Sequence, residues 1–203
     1  MTMSVRAVLA SMAVAVFTLG TSLAQSTTQN TPTAAEFGAE ALRLAQSELQ
    51  EWITDPVILF AIREQNETYK DLTDRRVQRL DKRWIVGGPY GPMVGDLLDR
   101  QASIILRDRR ELSDGLINEI IVMDAFGLNV AISDATSDFF QGDEAKWQET
   151  FLKGAEAVHI SEIEFDESTQ KYQSQVSVSV TDPETGEVIG AVTFGISVEK
   201  LLN

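Results

Sequence analysis

The stretch TSDFFQGDEAKW, residues 136–147, sets two phenylalanines, a tryptophan, three acids and a lysine close together. Small-molecule sites join a mostly apolar wall to a few convergent polar groups. Phe139, Phe140 and Trp147 have the makings of such a wall, with Asp138 and Lys146 as its polar groups. The same residues also read as ordinary packing: Trp147 and Phe151, four apart, share one side of a short helix, Asp143 caps it, and Lys146 turns to water. Further on, period-two alternation in VHISEIEF, residues 158–165, puts His159, Ser161 and Ile163 on one face of a strand. The next strand carries Tyr172 and Ser174. If His159, Ser161 and Tyr172 face the 136–147 stretch, they form a polar floor beneath it. His159 is the sole histidine, and beside a carboxylate ligand its charge would make binding depend on pH; the plainer reading is a half-exposed strand residue.

Catalysis finds little here. A hydroxyl nucleophile needs a base, and the single histidine has no GxSxG turn to serve. There is no HExxH pair and no cysteine, so zinc lacks its usual ligand patterns. The chain is expected not to be an enzyme and to carry no cofactor. Asp134, Asp138, Asp143 and Glu144 are close in sequence and offer oxygen ligands to calcium, without the spacing of an EF-hand loop; helix caps and solvated acids explain them as well.

The elements that must position these residues follow two patterns. From Ala34 to Leu112 the periodicity is helical. Phe37, Ala41, Ala45, Leu49 and Ile53 line one stripe; Asp55-Pro56 restarts the helix, and Val57, Phe60 and Ala61 continue an apolar face. Asp74 is placed to cap a helix running to Trp84, with Val77, Leu80 and Trp84 inward. Its other side carries Arg75, Arg76, Arg79, Lys82 and Arg83, a solvated face or a polyanion-binding stripe. GGPYGPMVG, residues 87–95, reads as a loop without the ending of a phosphate cradle, and residues 97–112 as one more helix.

After Gly115 the period becomes two. Residues 119–124 and 128–133 form a hairpin; residues 158–165, 172–181 and 188–198 supply three further strands, joined by turns at 166–171 and 182–186. In the strand 172–181 one face is mostly apolar and the other polar, as in an antiparallel sheet wetted on one side. Between the second and third strands lies an insertion, residues 134–154. A short helix starts there at Asp143-Glu144 and ends at Gly154. Helices followed by an antiparallel sheet make the class α+β.

The N-terminus addresses the chain outward. Arg6, an uncharged apolar run over residues 7–19 and Ser22-Leu23-Ala24 read as a secretory signal peptide cleaved after Ala24. Residues 25–33 form a polar, flexible leader, and residues 34–203 a single domain, helical over 34–114 and sheet over 116–203. With no later apolar run long enough to span a bilayer, the expected location is periplasmic or secreted. A net charge of −14 argues against nucleic acid and anionic membranes as partners.

MDAFGLNVAISDATSDFFQGDEAKW, FDESTQKYQSQVSVSV and DPETGEVIGAVTFGISVEKL, in that order, resemble the extracellular Cache (PDC, PAS-like) sensor domains in their single-module form. The resemblance spans roughly residues 34–201. It implies a PAS-like five-stranded antiparallel sheet with a long N-terminal helical segment packed on it. It also implies a pocket for small carboxylates or amino acids between the sheet and the insertion. The amino-acid-binding branch of that family carries an Arg-x-Trp-Tyr segment ahead of an aspartate. Asp166 stands where that aspartate is expected, but Ala145 occupies the arginine's place before Trp147, and Lys146 is the nearest cation. The chain also ends without a span after its last strand, so a free-standing sensor is expected, binding a small organic acid or amino-acid-like metabolite. It would signal through a membrane sensor kinase or chemoreceptor, with a homodimer through the N-terminal helix also open. The rival expectation is an interaction module that docks to such a partner without a ligand of its own.

Overall fold

A computed structural model describes residues 33–166 and 171–203. The expected signal peptide, most of the leader and the centre of the 166–171 turn lie outside the described residues. Among the described residues six helices precede the sheet: α1 (Ala34–Ala45), α2 (Glu48–Ile53), α3 (Pro56–Thr68), α4 (Asp74–Gly87), α5 (Pro92–Leu98) and α6 (Gln101–Leu112). Thr33 and Glu36 close a capping box on α1, each side chain bonding the other's backbone N–H. Asp55 caps α3 by accepting from the Val57 N–H at 2.8 Å, with Pro56 at the first helical position. The long N-terminal segment is thus three helices in series.

The strands are β1 (Ile117–Asp124), β2 (Asn129–Ile132), β3 (Val158–Ile160), β4 (Glu164–Asp166), β5 (Lys171–Thr181) and β6 (Val188–Ser197). They form one antiparallel sheet in the order β2-β1-β6-β5-β3, with β4 also on β5. The single strand expected over residues 158–165 is broken: β3 and β4 both pair with β5, and between them one backbone-to-backbone bond to β5 remains, from the Ser161 N–H to the Gln175 carbonyl. The sheet therefore has five positions and six strands. The insertion contains α7 (Ala145–Gln148) and a 3-10 turn over Phe151–Lys153, and the chain closes with α8 (Val198–Leu202). No helix among the described residues is long and apolar enough to cross a membrane.

Each sheet face has its own cover. Ile120, Val122, Val176, Val178, Val180, Val192, Phe194 and Ile196 point to α1, α2, α3 and α6, where they join Phe37, Leu49, Ile53, Ile62 and Leu106 in one buried core. Ile121, Met123 and Ala191 point the other way and meet Trp84, Val94 and Leu97 of α4 and α5, with Phe139 of the insertion. The α6 residue Ser103 accepts from the Ile132 N–H at 3.0 Å, satisfying a backbone donor of the edge strand β2.

Other local expectations differ as well. α3 turns Ile58, Leu59 and Ile62 inward, leaving Phe60 64% exposed, because the sheet takes a face rotated from the one that the spacing suggested. Thr73, not Asp74, is the N-cap of α4. The 87–95 stretch is not all loop, since Pro92 opens α5, and a break at Asp99-Arg100 separates α5 from α6. The polar face of β5 is not wetted: Ser177 and Ser179 are buried beneath the insertion.

Candidate functional site

Residues directly opposed across an antiparallel pair share a face. The register places His159 opposite Ser177, Ser177 opposite Thr193, and Thr193 opposite Ile121, so His159, Ser177 and Thr193 form one polar row. The Ser177 and Thr193 hydroxyls lie 2.9 Å apart and both residues are fully buried. The next row runs from Gln175 through Gly195 to Glu119. A side chain at Gly195 would press within 2.7 Å of Glu119 Cγ, and its absence leaves room for Gln175 Nε2 to donate to Glu119 Oε1 at 3.0 Å across the bare backbone. The hydroxyl pair is fully buried, where interiors are mostly apolar, while Gln175 and Glu119 are half-buried at its side.

The cover is fastened to the β1–β2 hairpin. Gly127 has φ of 75°, and a Cβ there would fall 2.4 Å from Gly142 Cα, so hairpin turn and insertion touch backbone to backbone. The Gln141 N–H donates to the Gly127 carbonyl at 2.7 Å, and Trp147 Nε1 donates to the Asp124 carbonyl at 3.0 Å. The Asp124 carboxylate accepts from the Phe126 and Leu128 N–H groups and from Gln65 Nε2, the last at 3.0 Å. Burial pushes its pKa up, against the pull of these donors.

Within the cover, Lys146 is 9% exposed. Its ammonium donates to Gln141 Oε1 at 3.1 Å and pairs with Glu144 Oε2 at 3.0 Å. The buried Thr150 hydroxyl donates to the Lys146 carbonyl at 2.6 Å and holds the turn. Glu144 also forms part of the wall of a cavity of about 270 Å³, with Ser161, Glu162, Glu164, Gln173, Ser174 and Gln175 as the rest. This room exists because the edge strand is interrupted between β3 and β4. Ser161 frames the gap: its hydroxyl accepts from the Gln175 N–H at 2.8 Å and its carbonyl from the Ser174 hydroxyl at 2.8 Å.

The expected site residues therefore part company. Lys146, His159 and Ser161 lie on or beside the polar rows. Asp138 Oδ1 accepts from Gln141 Nε2 at 2.5 Å, and the Asp138 carbonyl accepts from Asn129 Nδ2, so its loop is tied down locally. The aromatic wall is instead packing. Phe139 is buried and stacks on Trp84 with ring centroids 5.3 Å apart; Phe140 pairs by backbone with Leu128; Trp147 stacks on Phe151 at 4.9 Å. None of the three lines any of the five cavities of about 270–570 Å³. Tyr172 has the parity of Val176 and Val178, so it leaves the polar floor for the helical face, where it is 60% exposed and meets Phe165 edge to face. Asp166 ends β4, its backbone paired with Lys171. Of the acids weighed for calcium, Asp134 pairs with Arg110 and Glu144 with Lys146. Among the described residues no three His, Cys, Asp or Glu side chains converge as a metal site.

Gln141, Thr150, Gln175, Ser177 and Thr193 belong to the arrangement and were not singled out by sequence, and Glu144 was weighed only as a calcium ligand and a helix start. Their common mark was visible: a strand face of Gln and Ser residues with a long insertion available to cover it.

No family model matches the chain, and neither does any curated protein. Solved structures do. The sensor domain of the Vibrio cholerae histidine kinase DctB is 14% identical, with a TM-score of 0.37 over 82% of this chain and 59% of that one. The sensory domain of the Campylobacter jejuni chemoreceptor Tlp3 with isoleucine bound is 16% identical, with a TM-score of 0.39 over 80% of this chain and 64% of that one. The Escherichia coli DcuS sensor domain is 19% identical, with a TM-score of 0.35 over 64% of this chain and 96% of that one. The chain thus spans less than two thirds of the DctB and Tlp3 domains that it matches.

Proposed function

We propose that this chain is an exported sensor domain that binds a small, amino-acid-like solute beneath its insertion and passes the binding event to a partner protein. One observation carries the reading: the insertion lies over a sheet face with a buried hydroxyl pair beside an amide and a carboxylate, and this polar layer opens sideways into a polar cavity. Phe139 meets the apolar part of this face, but the rows through Ser177 and Gln175 are polar, where a cover that served stability alone would meet apolar residues throughout. The sequence resemblance to Cache domains points to the same end of the sheet.

The wall chemistry narrows the ligand. Glu144, Glu162 and Glu164 favour an ammonium group, while the Ser and Gln side chains offer neutral hydrogen bonds. Lys146 stands behind Glu144, paired to it, and becomes available to a ligand carboxylate when Glu144 turns to the ligand's amine. A zwitterion satisfies both charges; a plain organic acid meets three like charges first. Closure is then a population shift, since a ligand that exchanges partners with the Glu144–Lys146 pair favours one position of α7 over another.

A thermal-shift panel of amino acids, amines and organic acids tests this. A true ligand at about a hundred times its Kd adds roughly 2.7 kcal/mol of stability, which is roughly 5–10 °C in Tm for a domain of this size. The hit should be an amino-bearing solute, and Glu144→Ala and Gln175→Leu should each weaken it at least tenfold while the apo protein still melts cooperatively. Silence across the panel, together with native mass spectrometry that finds no co-purified molecule, would leave the ligand-free docking module as the better reading.

A further inference from the structure

A second concavity lies between α4 and α5 and shares no lining residue with the insertion's cavity. It has a volume of about 480 Å³, within the roughly 300–1,000 Å³ typical of small-molecule sites. Trp84, Val86, Pro92, Met93 and Val94 give it an apolar floor, and Arg79, Lys82 and Arg83 form its rim. Positions 79, 82, 83 and 86 follow helical spacing, so one stripe of α4 supplies both the charge and part of the apolar wall. Val86 is 77% exposed, an open apolar surface beside three cations.

The charge is out of keeping with the rest of the molecule. In a chain with a formal charge of −14, α4 concentrates Arg75, Arg76, Arg79, Lys82 and Arg83. None of them forms an ion pair with a described residue, whereas Arg43, Arg63, Arg109 and Arg110 all do. Like charges crowded on one helix repel and lower its stability unless an anion answers them. The complementary occupant is negative at one end and apolar at the other. Concavity decides its size, since a bilayer or a flat protein surface would leave the floor beneath Val86 unfilled.

We propose that the cavity between α4 and α5 binds a soluble amphipathic anion, its apolar body on Val86, Met93 and Val94 and its carboxylate or phosphate on Arg79, Lys82 and Arg83. This site is independent of the one beneath the insertion. The head group exchanges water for guanidinium and ammonium donors, and the tail removes apolar surface from water.

Calorimetric titration of the purified protein with octanoate, octanamide and acetate separates the two contributions. Octanoate should bind, octanamide at least tenfold more weakly, and acetate not measurably. The triple variant Arg79→Ala/Lys82→Ala/Arg83→Ala should lower octanoate affinity at least tenfold. Val86→Asp should do the same by placing a carboxylate beside the head group. All four positions are exposed, so melting curves should stay close to that of the parent. Glu144→Ala, which disables the other site, should leave octanoate binding unchanged. The proposal is overturned by equal binding of octanamide and octanoate, by octanoate binding that ignores both variants, or by no octanoate binding at millimolar concentration. It is equally overturned if the stripe engages only phosphatidylglycerol vesicles, or if the triple variant changes self-association while octanoate does nothing.

Discussion

The two faces of the sheet are built to different rules. Against α1, α2, α3 and α6 the strands present an unbroken apolar layer, from Ile120 and Val122 through Phe194 to Val176 and Val178. Against the insertion, β5 and β6 present Gln175, Ser177 and Thr193. The first arrangement gains free energy with every square ångström removed from water and tolerates no vacancy. The second gains little net energy, since each buried hydrogen bond replaces one to water, but it fixes which groups meet. The larger apolar core therefore lies on the helical face, while the other face joins a smaller one around Trp84, Ile121 and Met123 to the polar rows. The insertion is held both by polar anchors at the hairpin and by Phe139 packed on Trp84.

Substitutions sharpen this contrast, beginning with the largest effect. Phe194 is fully buried and meets Trp52 edge to face at 6.2 Å. Phe194→Ala should cost about 3–5 kcal/mol in urea denaturation, as large-to-small core changes do. A loss under 1 kcal/mol would show that the helical face does not carry the fold. Asp124→Ala comes next, because it strands the Phe126 and Leu128 donors at the turn that anchors the insertion. About 2 kcal/mol is expected from buried donors left unpaired, with Asp124→Asn milder because its amide oxygen still accepts. The polar face should answer differently. Ser177→Val or Thr193→Val alone leaves one hydroxyl without its partner and should cost about 1 kcal/mol, whereas the double variant should recover most of that loss. Additive losses in this cycle would mean that the hydroxyl pair is incidental.

Much of the helical face was legible because period and burial agree there. Phe37, Ala41, Ala45, Leu49 and Ile53 follow the helical stripe and all are buried. The alternating valines of β5 pointed inward for the same reason. The polar face was misread, since alternation shows which side of a strand is polar but not whether water or chain covers it. The break at Ser161–Ile163 was invisible too: Ser161 and Glu162 fit a strand pattern, and only the bonds from Gln175 and Ser174 to Ser161 reveal the gap. Composition left the aromatic cluster open between the two readings, since a wall and a packed core draw on the same residues. Trp84, distant in sequence, decided the matter for Phe139 by stacking on it.

The smallest shift to be read is in pH dependence, at two turns where α3 meets aspartates of opposite character. Asp182, in the β5–β6 turn, receives Arg63 Nε and Nη2 at 2.7 and 2.6 Å, and the Arg63 guanidinium holds its pKa at about 2. Asp124, in the β1–β2 turn, meets Gln65 in place of a cation, and burial raises its pKa. An unfolded aspartate titrates near about 3.9. The Asp182 contribution is therefore fully present above that value and is lost as pH falls toward about 2. For Asp124 the folded state holds its proton more tightly than the unfolded chain does. Its effect on stability thus becomes less favourable as pH rises from about 3.9 through its raised value. Melting curves across pH separate the two. The Tm advantage of the parent over Arg63→Ala should shrink between pH about 4 and 2, because the bond that the variant lacks is being titrated away. The Tm difference between parent and Asp124→Asn should move the other way, standing more in the parent's favour near pH 4 than at pH 7. If the parent and Arg63→Ala curves stay parallel down to pH 2, Arg63 contributes packing rather than charge, and the two turns differ only in burial.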